Sequence, residues 1–386
     1  MKYICRKLTA ELQRAARHFQ AVILSGTRGS GKTTLLKHLL PSAKYVLLED
    51  PDVVSRVNAD PRGFLEALSF PVILDEVQNT PHLFNYIRTA IDANPSRHGQ
   101  WFLTGSQEAP LMQGVTESMA GRAAVFQLLP FSREESEAVS PFLGGFPEAL
   151  AAPDAADIWF RSYVQTYLER DVRAVSAIRD LATFRRFMAL VAVRSGQMLN
   201  KTDLAAPLGV SVPTLTQWLS ILEITGHILL IPPFYENFGK RLVKTPKLYL
   251  ADSGLLCHLL GIANRSALSD STFEGAVYES FVAAEMVKHR LNRGLDRGLY
   301  YFRDRQGLEV DFLLDQGNNR VSLIEVKATR TPMPRDAGPM RALMRNMSEH
   351  NVSAFLAHKG ETTERTDSVL CPGVKAVGIT ELDEIM

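Results

Sequence analysis

Ala21–Ser25 (AVILS) is an unbroken apolar run followed at once by Gly26, the pattern of a strand buried on both faces of a parallel sheet. Tyr45–Leu48, Pro71–Leu74 (PVIL) and Trp101–Thr104 (WFLT) repeat it and predict three more strands. Between them Lys32–Leu40, stopped by Pro41, and then Pro61–Leu68 and Pro81–Ala93 have helical spacing. Strands alternating with helices predict an α/β domain whose mostly parallel sheet is covered on both faces. Gly144, Gly145, Phe146 and Pro147 punctuate the pattern, which sets the first domain at 1–150. Helices then take over. Ile158 to Asp180 reads as one long helix. Leu199–Leu230 reads as a short helix, a turn at Gly209, a second helix opened by Pro213, and a strand at His227–Ile231. This stretch is the second domain, 151–265. A helix over Gly275–Arg290 then precedes strands at Leu299–Phe302, Glu309–Leu314, Ser322–Val326 and Val352–Ala357, a mixed α/β third domain over 266–386.

Composition narrows the picture only a little. A chain of 386 residues has room for two or three domains at roughly 100–200 residues each. Lysine and arginine number 43 against 42 acids, so no global field draws the chain to nucleic acid, and any such contact needs a local patch. Cys5, Cys257 and Cys371 lie far apart with no metal spacing, as in a reduced, cytoplasmic protein. The N-terminus has no signal-peptide pattern, and no apolar run is long enough for a bilayer, so no membrane partner is expected.

Candidate chemistry begins at Gly26-Thr27-Arg28-Gly29-Ser30-Gly31-Lys32-Thr33, which fits G-x-x-x-x-G-K-[ST] at every fixed position, between an apolar strand and a helix. Glycines let backbone N–H groups close on phosphates, and the helix N-terminus that follows favours anions. Lys32 is expected on the β- and γ-phosphates of ATP, and the Thr33 hydroxyl on Mg2+, with Thr34 the next contact of the helix. Val72-Ile73-Leu74-Asp75-Glu76 is an apolar strand ending in two acids: Asp75 for the metal and Glu76 as the base that polarises the attacking water. Alone, this acid pair would read as a solvated strand end; beside the glycine loop it reads as catalytic. Ser106, past the fourth strand, is a candidate γ-phosphate contact. Arg122 reads equally as an arginine finger for a neighbouring subunit or as a surface cation.

The segments GTRGSGKTTLL, VILDEVQNTPHLFNYIR, FLTGSQ, SMAGR and GGFPE resemble a bacterial and archaeal family of AAA-type P-loop ATPases with an appended C-terminal domain of unknown function. YLERDVR, KTPKLYLADSGL, VYESFVAAE and EVDFLL with IEVKAT are similar to that appended region, so the likeness covers nearly the whole chain. It implies an ATPase domain and, as relatives often form rings, a homo-oligomer in which Arg122 completes a neighbour's site.

Lys201–Ser211 and Pro213–Glu223 have helix-turn-helix character, with Ser211 as cap and Leu215, Leu219 and Leu222 on the buried side. Thr214, Thr216 and Gln217 would face outward, toward DNA. The strands at His227–Ile231 and Lys247–Leu250 suggest a wing, with Lys240, Arg241, Lys244 and Lys247 as a phosphate-contacting patch. Such modules also serve as protein contacts, and the second helix carries no cation.

Asp311, followed fourteen residues later by Glu325 and then Lys327 on another apolar strand, resembles the PD-(D/E)xK nuclease core. Glu325 and Lys327, two apart, share a strand face. In that resemblance Glu279 matches a helix acid, Asp311 and Glu325 bind Mg2+, and Lys327 orients the water; Arg303 and Arg305 are further phosphate candidates. The alternative is a nuclease-like fold used for binding or assembly. Two functions remain open: an ATPase that handles double-stranded or branched DNA, and a nucleotide-gated module that contacts other proteins. A metal nuclease with a dead P-loop is disfavoured, because Lys32, Thr33, Asp75 and Glu76 are all intact.

Overall fold

The computed structural model describes residues 3–105, 119–168, 181–234, 244–360 and 369–385. It divides into two compact units, Met1–Phe131 with Ile224–Gly226 and Leu291–Gly294, and Ser132–Glu223 with His227–Arg290 and Leu295–Met386. The first runs α1 (Thr9–His18), β1 (Ala21–Gly26), α2 (Lys32–Leu39), β2 (Lys44–Leu47), α3 (Pro51–Ala59), α4 (Pro61–Glu66), β3 (Val72–Asp75), α5 (Leu83–Ala93), β4 (Trp101–Thr104) and β5 (Ala123–Leu128).

Its sheet has the order β2-β3-β4-β1-β5, with every neighbouring pair parallel. Successive side chains of a strand point to opposite faces, and two cores result. Ile23, Leu74 and Leu103 pack with Leu83, Phe84, Ile87 and Ile91 of α5. Val22, Leu24, Ile73 and Phe102 pack with Leu12 and Ala15 of α1 and with Leu35 and Leu36 of α2. The apolar runs of β1, β3 and β4 are therefore strands buried on both sides, while the edge strand β2 buries only Val46 of its four residues. α3 and α4 each open on the same local signal: an aspartate accepts a backbone N–H and proline takes the first turn, Asp50 from Asp52 N at 2.9 Å and Asp60 from Gly63 N at 3.0 Å.

In the second unit the helix Ala156–Tyr163 widens into a π-helical turn over Val164–Leu168. The helix expected from Ile158 is thus helical as far as Leu168, with a local π-widening, and the remainder of it to Asp180 lies outside the described residues. Helices at Lys201–Ala205 and Val212–Ile224 flank a turn at Gly209, whose φ of 67° suits glycine. Leu215, Leu219 and Leu222 are buried as their spacing implies. Three short strands, β6 (Gln197–Met198), β7 (Ile228–Ile231) and β8 (Lys247–Leu250), form an antiparallel sheet in the order β6-β8-β7.

After the helix Glu274–Asn292 comes a mixed sheet of β9 (Leu299–Arg303), β10 (Glu309–Gly317), β11 (Arg320–Lys327), β12 (Asn351–His358), β13 (Val369–Cys371) and β14 (Val374–Gly378), ordered β13-β14-β12-β11-β10-β9. β9, β10 and β11 are antiparallel, while β12 pairs parallel with β11 and with β14. Asn318 and Asn319, both at positive φ (52° and 60°), turn the β10–β11 hairpin. Leu313, Leu323 and Leu356 pack on Met340 and Leu343 of the helix Gly338–Met344. The fold is thus mixed α/β: a parallel P-loop-type sheet, then a helical segment and a mixed sheet.

Candidate functional site

β1 ends at Gly26, whose φ of 141° and whose neighbour, the Leu128 carbonyl, exclude a side chain: a Cβ there would lie 2.1 Å from that oxygen. The chain then loops through Gly29 (φ 76°) to Gly31 (φ 91°), the residue before α2, where a Cβ would meet nothing within 4 Å. One glycine permits the close approach of strand and loop, and the other leaves the loop's face open. Thr27 and Ser30 are buried, Arg28 is half-buried and Thr34 is exposed on the first turn of α2. The Ser30 hydroxyl is fully buried and has no hydrogen-bond partner. The Lys32 ammonium lies over the loop, donating to the carbonyls of Gly26 (2.8 Å) and Thr27 (3.1 Å).

The two halves of the motif meet at Asp75. The Thr33 hydroxyl donates to its Oδ2 at 2.7 Å, and the Tyr45 hydroxyl donates to the same oxygen at 2.9 Å. Burial, and then the Asp75 carboxylate, push the Tyr45 pKa well above its ordinary value, so this hydroxyl keeps its proton. Strand register sets Thr104 opposite Asp75, and its buried hydroxyl also has no partner. A hydroxyl and a carboxylate at hydrogen-bond distance are the hard oxygen donors that magnesium takes, so these residues fit the ion. Glu76 leaves the strand in the left-handed region (φ 57°). Its carboxylate accepts from Gln78 Nε2 and lies 3.9 Å from the Arg28 guanidinium, which is equally far from Glu49. Ser106 lies outside the described residues. Arg122 forms a two-pronged pair with Asp92 (2.6 and 3.0 Å), which it must leave to reach any nucleotide.

Sequence reasoning missed Arg6 and Tyr45. Arg6 is 3% exposed. Its guanidinium donates to the carbonyls of Ser30 (2.9 Å) and Leu129 (2.6 Å) and lies 4.5 Å from the centre of the Phe131 ring, bracing the glycine loop against the end of β5.

In the second unit, the register Phe312↔Ile324 sets Asp311 beside Glu325, and Asp311 Oδ2 accepts from Val326 N at 2.9 Å. Lys327 donates to Glu325 Oε1 at 2.7 Å. Glu279, on the helix Glu274–Asn292, accepts from the Tyr249 hydroxyl at 2.6 Å. Burial, then the neighbouring Asp311 charge, raise both Glu279 and Glu325 to about 7.

Lys247 is the surprise. Expected on a phosphate-contacting surface, it is only 3% exposed, and its ammonium points inward to Glu309 (2.6 Å), Glu279 (3.3 Å) and Asp311 (3.8 Å). Burial alone would lower its pKa, but Glu279, Asp311 and Glu309 outweigh that and raise it. The surface assignment is therefore corrected: a cation surrounded by three carboxylates cannot also face DNA phosphates. Arg303 is likewise engaged, with Glu309 at 2.9 Å. Of the rest of the patch, Lys244 is exposed, while Lys240 and Arg241 lie outside the described residues. Gln217 is exposed and Thr214 and Thr216 half-buried; Thr214 bonds the Ser211 hydroxyl (2.8 Å) and Thr216 the Val212 carbonyl (2.9 Å).

Three family models match in succession: an AAA domain over residues 18–137 and two domains of unknown function over 141–266 and 274–382. The Uncharacterized protein Rv2008c of Mycobacterium tuberculosis is 32% identical over 335 residues, 85% of this chain and 74% of that protein. Uncharacterized protein Mb2031c of Mycobacterium bovis matches with the same figures. Among solved structures, the Walker-type ATPase PABY2304 of Pyrococcus abyssi is 16% identical with a TM-score of 0.47, covering 66% of this chain and 94% of that one. A RuvB variant of Thermotoga maritima is 18% identical with a TM-score of 0.27, covering 58% and 88%. Among the described residues no helix is long and apolar enough to cross a membrane.

Proposed function

The chain, an AAA domain followed by two domains of unknown function, belongs to the same family as these mycobacterial proteins, and from that premise we propose that it hydrolyses ATP to drive DNA handling in the cytoplasm. The observation that carries the nucleotide half is the meeting of Thr33 and Asp75 at 2.7 Å beside a glycine loop with an open face. Loop N–H groups bind the phosphates, and Lys32 trades the Gly26 and Thr27 carbonyls for phosphate oxygens. Thr33 and Asp75 would hold Mg2+, which when bound neutralises charge on the β- and γ-phosphates. Glu76 takes the proton of the attacking water, aimed by its backbone conformation and by Gln78.

In the DNA half, the helices Lys201–Ala205 and Val212–Ile224 and the sheet β6-β8-β7 act as a winged helix, with Thr214, Thr216 and Gln217 on the outward helix face. Lys240, Arg241 and Lys244 supply the cations. Double-stranded or branched DNA is the substrate, with assembly into a homo-oligomer that Arg122 serves. The inward turn of Lys247 favours a second reading, a nucleotide-gated module that contacts protein, because it takes a cation away from the DNA-facing patch.

The test is ATP turnover with magnesium, with and without double-stranded and branched DNA. Lys32→Ala should abolish nucleotide binding. Glu76→Gln should keep binding and slow hydrolysis by about 10²–10⁴, the range of general-base catalysis. Tight ATP binding by Lys32→Ala would refute the nucleotide site. Turnover indifferent to every DNA would pass the weight to the protein-contacting module.

A further inference from the structure

A metal-dependent nuclease needs acidic oxygens left open to a divalent ion, and the acid cluster of the second unit already holds a cation of its own. We infer that Lys247 is the resident cation of the Glu279–Glu309–Asp311 cluster, and that the C-terminal sheet consequently takes no divalent metal and cleaves no phosphodiester by metal chemistry.

Three observations carry this. The first is position. Lys247 pairs with Met198 on one side and Ile231 on the other, in a strand whose four residues are all buried, so its backbone is fixed from both flanks. Its side chain is 4% exposed and its ammonium lies among Glu309, Glu279 and Asp311 at 2.6, 3.3 and 3.8 Å. A divalent ion on Asp311 would sit a few ångströms from that ammonium, with almost no water between them to screen the repulsion.

The second is charge. Glu279, Glu309, Asp311 and Glu325 are met by Lys247, by Lys327 on Glu325 and by Arg303 on Glu309, which leaves one negative charge in excess. That excess does not match a dication.

The third is the donor set. Asp311 Oδ2 is used by Val326 N, Glu325 Oε1 by Lys327 and Glu279 Oε1 by Tyr249. The buried Oε2 of Glu325 has no partner, so the acids keep an open oxygen, and what stands in a divalent ion's place is the Lys247 ammonium. Among the described residues no group of three or more His, Cys, Asp or Glu side chains is arranged to hold a metal ion.

The cluster instead fastens β8 to the C-terminal sheet. The same seam carries the Tyr301 hydroxyl on the Thr245 carbonyl and the Phe234 N–H on the Tyr301 carbonyl at 2.8 Å.

The probe is Mn2+, added to the full-length, nucleotide-free protein, with the free ion followed by electron paramagnetic resonance. Wild type should leave the free-ion signal unchanged. Lys247→Met should remove one ion per chain from that signal, and Asp311→Asn added to Lys247→Met should restore it. One Mn2+ bound per wild-type chain and lost in Asp311→Asn would overturn the inference. So would a Lys247→Met protein that is folded by circular dichroism yet binds none. If Lys247→Met does not fold, the comparison of wild type with Asp311→Asn decides. The experiment contains no ATP, so its failure and that of the nucleotide reading are separate events.

Discussion

A buried guanidinium is costly to place in a protein unless its donors are used, and Arg6 uses them on the carbonyls of Ser30 and Leu129. Those two carbonyls belong to the phosphate loop and to the segment after β5, so Arg6 sets the loop's height above the sheet. Arg6→Met keeps the apolar stem over Phe131 and deletes the bonds. Hydrogen bonds to charged groups are worth about 1.5–3 kcal/mol, and the variant should lose stability on that scale in urea melts. It should also bind ATP more weakly than a surface control such as Arg14→Met, since the loop loses its brace. Unchanged affinity in a folded Arg6→Met protein would reduce Arg6 to packing. The distinction between Arg6 and Lys32 also explains what could be read in advance. Lys32 and Thr33 were legible because their chemistry is local to an eight-residue motif. Arg6 reaches partners 24 and 123 positions away, and Lys247 reaches Glu279 on the helix Glu274–Asn292 and Glu309 and Asp311 on β10. In both cases a cation that looks like a solvated surface charge in sequence is committed to the interior by distant acceptors.

Elements whose signal lies in their own residues were readable: the buried strands β1, β3 and β4, the edge strand β2, the Val212–Ile224 helix and the β9–β12 strands all sit near their expected positions. β5 was not. Its sequence AAVFQL starts on two alanines and is only partly buried, with Val125 45% exposed at the edge of the sheet, so what makes it a strand is pairing with β1 rather than any pattern of its own. α1 was missed although its periodicity is helical. The π-turn after Tyr163 was missed because it interrupts neither the helical backbone nor the chain's helix-forming composition. The β1–β5 pairing also sorts two glycines that look alike in the motif. Gly26→Ala would drive a methyl to within 2.1 Å of the Leu128 carbonyl, backbone against backbone, so strand and loop must separate. Gly31→Ala meets no atom within 4 Å and bears only the strain of a left-handed φ, about 1 kcal/mol. The expected result is a large fall in melting temperature for Gly26→Ala and a small one for Gly31→Ala, with ATP binding weakened in both, since the second methyl stands in the open face of the loop. Equal melting temperatures would mean that the β5 contact at Gly26 is not a structural constraint.

At the scale of the whole molecule, charge decides what a DNA contact can look like. With 43 basic and 42 acidic residues there is no long-range attraction to a polyanion, so affinity must come from the few cations that face it. Removing Lys247 from that set leaves Lys240, Arg241 and Lys244. Each neutralised phosphate contributes about −0.9 to the slope of log K against log salt on duplex DNA, and three cations therefore give a slope of about −2.7. This is a shallow dependence, well short of that of a protein clamped along many phosphates. Replacing all three by serine should flatten the slope toward zero and abolish DNA stimulation, while ATP turnover without DNA stays at the wild-type rate, because none of the three belongs to the nucleotide site. A slope steeper than about −6 would reveal a second cationic surface elsewhere on the chain. A slope unchanged in the triple variant would remove this patch from any DNA contact. Were no duplex or branched DNA bound at all, near-neutral charge and an inward-turned Lys247 would have a single common meaning: the exposed face of the Val212–Ile224 helix is built for a protein, and nucleotide turnover times that encounter.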